Sequence, residues 1–231
     1  MIVYGSILSP FTRKVLAFAR EKGIRLELKP AGPGQGGAEF AETSPFGKIP
    51  GFRDPGADGA GDFVLSDSSA IVAYLEAKFP MPGLIPLDPQ NRARAIWFDE
   101  FADTVVIPET GPIFVDRFLL PAILHRDGDE AAASRAEREG LPRVLDYLER
   151  AISPAGFLIE DRLTLADISV ASAMLNPMLL GARIDRTRWP RAGAYLDAML
   201  GRRSFAWMVE EAAALIAAFA PAPARRLRRA G

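Results

Sequence analysis

The sequence predicts a chain of two parts: an α/β segment with the order β-α-β-α-β-β-α, followed by an all-helical segment. Three observations carry this. The first eighty residues alternate short strand-like runs with amphipathic stretches. From about Gln90 onward, apolar residues recur at helical spacing without strand alternation. Between the two lies MPGLIPLDP, a proline- and glycine-rich linker. The expected boundaries are 1–80, a linker at 81–89, a helical domain at 90–220, and a basic tail at 221–231. That tail, PAPARRLRRAG, is expected to be disordered. A length of 231 residues suits one large or two small domains at ~150 residues each.

Ile2, Val3 and Tyr4 form a short β-rich run ended by Gly5 and Ser6. Pro10 opens a helix with Val15, Leu16, Phe18 and Ala19 on its apolar face, and Gly23 closes it. Residues 24–28 alternate as a half-buried strand does, and the βαβ spacing implies that the first two strands run parallel. AGPGQGG (31–37) reads as a loop and 38–42 as a short helix. Strand-like runs at 51–53 and 62–65 flank the loop DPGADGAG. Ser66 or Asp67 then caps a helix carrying Ile71, Tyr74, Leu75 and Lys78, which Pro80 ends. In the second part, 92–106, 131–152, 165–180, 191–200 and 205–219 read as helices. Pro108, Pro112 and Pro121 are expected to break or bend the stretch after Val106.

The chain has no cysteine and one histidine, His125. Disulfides, thiolate metal sites and a cysteine nucleophile are therefore excluded. A three-histidine metal site cannot be built within one chain, and no metal is expected. Any thiol nucleophile would have to arrive with a ligand. Lys+Arg 28 against Asp+Glu 29 gives a net charge of −1, which offers no electrostatic case for nucleic acid or membrane. The start, MIVYGSILSPFTRKV, does not read as a signal peptide, and no apolar run approaches ~20 residues. A cytoplasmic, soluble protein is expected.

Three segments could carry chemistry. Ser9 precedes Pro10 at the mouth of the first helix, where unpaired N–H groups and the helix dipole favour an anion. A serine hydroxyl there can hold a thiolate; the competing reading is a plain N-cap. Gly47-Lys48-Ile49-Pro50 joins a turn to a strand, and a kink there would free the Ile49 backbone to pair with an extended peptide. The competing reading is an ordinary trans strand entry. Asp67-Ser68 opens the helix of SDSSAIVAYL and suits a ligand ammonium and carboxylate; the competing reading is capping alone. Together the three imply a small thiol peptide with a free α-amino-acid end.

SPFTRKV (9–15), SPFGKIPGF (44–52), SDSSAIVAYL (66–75) and LTLADISVAS (163–172) stand in the order and spacing of the cytosolic glutathione transferases. The chain resembles a serine-type, bacterial-like member of that family along essentially its whole length. The resemblance implies a thioredoxin-like domain followed by the helical domain. It implies that Ser9 stabilises the glutathione thiolate, with Tyr4 as the alternative catalytic hydroxyl, and that Phe11 borders the site. It further implies that Ile49 pairs with the cysteinyl part ahead of a cis Pro50, that Asp67 and Ser68 hold the γ-glutamyl end, and that Lys48 meets the glycine end. Thr164 and Asp167 belong to its helix-capping signature and are assigned to folding.

Glutathione would be a co-substrate, and the partner a small hydrophobic electrophile. Ile7, Leu8 and Phe11, with Phe98, Phe101 and Val105, are expected to line its pocket; Phe114 and Phe118 are equally placed candidates. The competing reading puts Phe98, Phe101 and Val105 in the core or a dimer contact. A homodimer acting in detoxification is implied. A glutathione-dependent isomerase, lyase or peroxidase, or a non-catalytic binding protein of the same fold, is the alternative. Two departures are visible. Aspartate 67 stands where many members have glutamate, and the loop 31–38 offers Gln35 but no cation. His125, beside Arg126 and Asp127, is expected at the surface without a catalytic role. Without cysteine the chain cannot form its own mixed disulfide, so incubation with oxidised glutathione should leave the denatured intact mass unchanged; an adduct that survives denaturation would contradict this.

Overall fold

In the computed structural model, residues 1–32, 34–59 and 61–219 are described; the basic tail expected at 221–231 lies outside them. Strand β1 (Ile2–Gly5) lies inside a four-stranded sheet of order β2-β1-β3-β4. It pairs in parallel with β2 (Glu27–Pro30) and antiparallel with β3 (Gly51–Asp54), which pairs antiparallel with β4 (Phe63–Ser66). Val3 lies opposite both Leu28 and Phe52, so one register serves the whole core face. Helices α1 (Pro10–Glu21), α2 (Gly37–Thr43) and α3 (Ser68–Lys78) complete the predicted β-α-β-α-β-β-α order. Val3, Phe18, Phe52, Ile71 and Leu75 are fully buried between sheet and helices.

The second strand starts three residues later than its alternation suggests. Gly23 takes the left-handed conformation (φ +70°), and the Ile24 N–H donates back to the Ala19 carbonyl at 2.8 Å. Ile24 thus finishes the C-terminus of α1 and packs on the core, and pairing begins only where Glu27 N–H reaches the Met1 carbonyl.

The helical part runs from α4 (Pro89–Phe101) through α5 (Ile107–Phe114), α6 (Glu130–Arg135), α7 (Leu141–Ala151), α8 (Leu165–Leu179), α9 (Pro190–Leu200) and α10 (Ala206–Phe219). Of the break or bend expected after Val106, no break occurs. Residues 89–123 stay helical, with π turns at Ala102–Val106 and Val115–Ile123. Proline lacks the N–H that an α turn requires, and the widened π turns absorb the mismatch without ending the helix. A third π segment, Ala136–Gly140, joins α6 to α7 within the predicted 131–152 helix. None of the described helices is long and apolar enough to cross a membrane.

Charges seal the seam between the two parts. Lys14 of α1 is buried, and its Nζ reaches Asp99 Oδ1 at 2.7 Å, Asp103 Oδ2 at 2.9 Å and Ser69 Oγ at 3.1 Å. Ser69 and Ser169 also donate to Asp99, each at 2.7 Å. Burial pushes the Asp103 carboxyl up to about 6, although Lys14 draws it the other way. Arg13, also buried, donates to the Ile7 carbonyl and to the Ser172 carbonyl of α8, both at 2.6 Å. At the far end of α1, Arg202 and Ser204 donate to Glu21.

Helix α8 starts at the predicted cap. The buried Asp167 carboxylate accepts from the Thr164 N–H at 2.9 Å, the Thr164 hydroxyl at 3.2 Å and the Leu158 N–H at 3.0 Å. Burial pushes its carboxyl up to about 6 against those bonds. Removing it would leave two buried N–H groups without partners, at a cost of about 2–4 kcal/mol. Asp167→Ala should therefore lower Tm by roughly 5–10 °C for a chain of this size, as read by circular dichroism.

Candidate functional site

A cavity of about 970 Å³ opens between the first domain and the helical domain. Its polar wall comes from three segments of the first domain. Ser9 follows β1 as the N-cap of α1, half-buried, and its Oγ accepts from the Thr12 N–H at 3.3 Å. Ser9 is itself held by its N–H to the Ser6 carbonyl at 2.9 Å, while Leu8 N–H reaches Ser6 Oγ at 3.2 Å. Ser9 Oγ accepts that bond and donates none among the described residues, so its own hydrogen stays available to a ligand.

The second segment is the turn before β3. Ser44 Oγ donates to the Lys48 carbonyl at 2.6 Å and closes it. The Ile49–Pro50 bond is cis. Neither the N–H nor the carbonyl of Ile49 finds a hydrogen-bond partner among the described residues. Lys48 and Ile49 line the cavity, while Pro50 is buried behind them. The third segment is Asp67-Ser68. Asp67 caps α3 by accepting the Ala70 N–H at 3.0 Å, and it does so with φ +84°, a conformation uncommon for a residue with a side chain. Ser68, buried at the first turn of α3, lines the cavity beside it. Two helix N-termini, of α1 and α3, therefore converge on one polar wall.

Tyr4 is not in this wall. Its ring is buried with Ala31 and Phe40, and its hydroxyl donates to Glu39 Oε2 at 3.0 Å. Burial and the Glu39 carboxylate both push the phenol's pKa up. It borders a separate, shallower hollow with Lys29 and Glu39. Lys29, the cation nearest the 31–38 loop in sequence, is paired with Glu39 at 2.8 Å, and Gln35 is the loop's polar side chain in the main cavity.

The apolar wall differs from the expected one. Leu8 and Phe11 line the cavity as predicted. Ile7 does not: it is buried in the core, where its carbonyl receives Arg13. Phe98 and Phe101 turn the other way, into a cluster with Trp97 and Tyr147; Phe101 lies 5.3 Å from Trp97 and 5.1 Å from Tyr147, ring to ring. Val105 is exposed on the surface, away from the cavity wall. Phe118 sits in a second row, 5.4 Å from Phe114 and 6.2 Å from Phe219.

Phe114, one of the alternative candidates, does line the wall, together with Ile107, Thr110, Val115 and Leu119, and with Leu215 and Phe219 from α10. The spacing of 107, 110, 114 and 119 is close to helical, and it was visible in the sequence. Reading Pro108, Pro112 and Pro121 as breaks concealed it. His125 lies at the exposed rim with φ +50°. It borders the cavity, which the surface assignment did not include. Among the described residues, no group of three or more His, Cys, Asp or Glu could hold a metal ion.

Comparison with known proteins matches residues 3–83 to the N-terminal domain model of the glutathione S-transferases and residues 112–202 to their C-terminal domain model. The human glutathione S-transferase theta-2 is 31% identical over 206 residues, covering 84% of this chain and 80% of its own length. The crystal structure of a glutathione S-transferase from Rhodospirillum rubrum superposes with a TM-score of 0.79 at 24% identity, covering 90% of each chain. One from Methylobacterium radiotolerans, solved in complex with glutathione sulfonate, gives 0.70 at 25% identity over 90% of this chain and 93% of that one.

The cavity's apolar half has a consequence independent of chemistry. An environment-sensitive apolar dye should brighten on binding it, and Phe114→Trp, which fills the space, should weaken that binding about tenfold. Unchanged binding by fluorescence titration would mean that the dye sits elsewhere.

Proposed function

The chain belongs to the glutathione S-transferase family, and on that premise we propose that it binds glutathione along the polar wall and promotes attack of its thiolate on a small apolar electrophile. The observation that carries this reading is the hydrogen-bond state of Ser9. Its Oγ accepts from Thr12 N–H at the N-terminus of α1 and donates none among the described residues, so its hydroxyl hydrogen is free to donate to a sulfur anion. The helix dipole adds to the same preference, as it does for cysteine thiolates at helix N-termini. Tyr4 lacks this freedom, because its hydrogen is engaged by Glu39.

The remaining contacts follow from what each group leaves unused. The free N–H and carbonyl of Ile49 suit the backbone of the cysteinyl residue. The N-terminus of α3 with Ser68 suits the α-carboxylate of the γ-glutamyl end, and Asp67 suits its ammonium. Lys48 and Gln35 border the region left for the glycyl carboxylate. Phe11 stands where polar and apolar walls meet. The thiol proton leaves to solvent, the sulfur forms a bond to the electrophilic carbon, and the displaced group leaves or the addition product takes up a proton.

We extend the reading to a cytoplasmic detoxification enzyme. It would work as a homodimer, in which a second copy covers exposed apolar groups such as Phe46 and Trp97. Ser9→Ala should lower kcat/KM toward an activated aryl halide by about tenfold or more, since it removes a donor to the reacting anion. Tyr4→Phe should leave it within about twofold, having no such donor to remove. The reverse pattern in steady-state kinetics would transfer the role to Tyr4.

A further inference from the structure

The loop that presents Ser9 is held from the helical domain as well as from its own. Two consecutive carbonyls precede the serine, and each has a dedicated buried donor. Arg13 Nη1 donates to the Ile7 carbonyl at 2.6 Å, while its Nη2 donates to the Ser172 carbonyl of α8 at 2.6 Å. One turn further along α8, Asn176 Nδ2 donates to the Leu8 carbonyl at 3.1 Å. Arg13 is wholly buried and forms no ion pair among the described residues, an unusual arrangement for an arginine. Its guanidinium therefore serves as a fork between two backbone carbonyls. Asn176 is 7% exposed, and its Oδ1 has no partner. An amide buried with half its hydrogen-bonding capacity unused is costly. Here the half that is used goes to the residue next to Ser9.

Continuing from the reading of Ser9 above, we propose that Asn176 and Arg13 are positioning residues: they fix the Ile7–Ser9 backbone against α8 and so set where the Ser9 hydroxyl meets the thiol of glutathione. Arg13 does not line the cavity, and Asn176 Nδ2 is engaged by the Leu8 carbonyl. Each acts by removing the freedom of a short loop whose displacement by even 1 Å would misalign a single hydrogen bond. The N-terminus of α1 cannot do this alone, because a cap fixes the helix end relative to the serine and not relative to a ligand held by two other segments. The attachment of Ile7 and Leu8 to α8 supplies that reference. Helix α8 borders the same cavity through Ala173, Asn176 and Pro177, so one element both anchors the Ser9 loop and walls the site.

The test titrates the thiolate of bound glutathione by its ultraviolet absorption, with no electrophile present. Asn176→Leu keeps the number and branching of the side-chain heavy atoms and removes the donor. It should raise the titration midpoint by about one unit, a tenfold loss of thiolate below the midpoint, with glutathione affinity by calorimetry changed less than about threefold. Arg13→Lys keeps a charge but not the fork, and should shift the midpoint in the same direction. In a Ser9→Ala background, Asn176→Leu should add no further shift. An unmoved midpoint in Asn176→Leu, or an additive shift in the double variant, overturns the positioning role. If Arg13→Lys fails to fold, the Asn176 cycle decides alone. An unmoved midpoint in Ser9→Ala itself would instead sink the reading of Ser9, which separates the two failures.

Discussion

Two adjacent cations, Arg13 and Lys14, are buried in the second turn of α1, and the arrangement of the two domains follows from how they are satisfied. A buried charge without partners costs several kcal/mol. Lys14 is met by Asp99 and Asp103 from the α4 region, with Ser69 of α3 and Ser169 of α8 closing the network. Arg13 is met by a carbonyl of α8 and one of its own domain. Sliding either domain would break both sets together, so the seam accepts one register. The cavity is the space left on the ligand side of that seam.

The two walls of the cavity arise from different physics. The polar wall collects the ends of elements: the N-caps of α1 and α3 and the turn before β3, where backbone groups lack internal partners. The apolar wall is the flank of a long helix that prolines push into π geometry. In α8, Pro177 lies inside an α-helix and cannot donate to the Ala173 carbonyl, and both residues border the cavity. Irregular helix on one side and unsatisfied termini on the other give a site with one anion-seeking half and one oily half.

Much of this was legible in the sequence because it depends on local chemistry. The element order, the parallel pairing of the first two strands, the α3 cap at Ser66 or Asp67 and the Thr164–Asp167 cap rest on spacing and on a few adjacent residues. The structure has them, with Asp67 as the α3 cap. The cis Pro50 followed from the family resemblance, since the local residues alone favour trans. The beginning of β2 was misplaced because alternation at 24–28 looks the same whether Ile24 pairs or caps. Of the apolar wall, Leu8, Phe11 and the alternative Phe114 border the cavity, while Ile107, Thr110 and Leu119 are hidden from a reading in which proline ends a helix, because that rule ignores π turns. Phe98 and Phe101 follow the competing core reading: their partners are Trp97 and Tyr147 on the opposite flank. Arg13 and Asn176 had no local signal at all. Their partners stand 159 and 168 residues away, and an arginine in an amphipathic helix reads as solvated until the fold buries it.

A chain without cysteine must borrow its sulfur, and hydrogen-bond accounting then narrows where the borrowed sulfur can rest. Among hydroxyls near the site, Tyr4 donates to Glu39, Ser44 to the Lys48 carbonyl and Thr110 to the Val106 carbonyl. Those hydrogens are committed. Thr12 Oγ1 is buried against Gly5 and faces no ligand. Ser6, Ser9, Ser66 and Ser68 keep theirs. Of these four, only Ser9 and Ser68 also stand at a helix N-terminus, where an anion gains from the dipole as well as from the hydroxyl. Two such places match the two anionic groups that the proposed ligand brings to this end of the wall, a thiolate and an α-carboxylate. Asp67 sits beside Ser68 and not beside Ser9, so the ammonium that accompanies the carboxylate belongs at α3. On the proposed reading the thiolate falls to Ser9, whose loop is anchored through the Ile7 and Leu8 carbonyls.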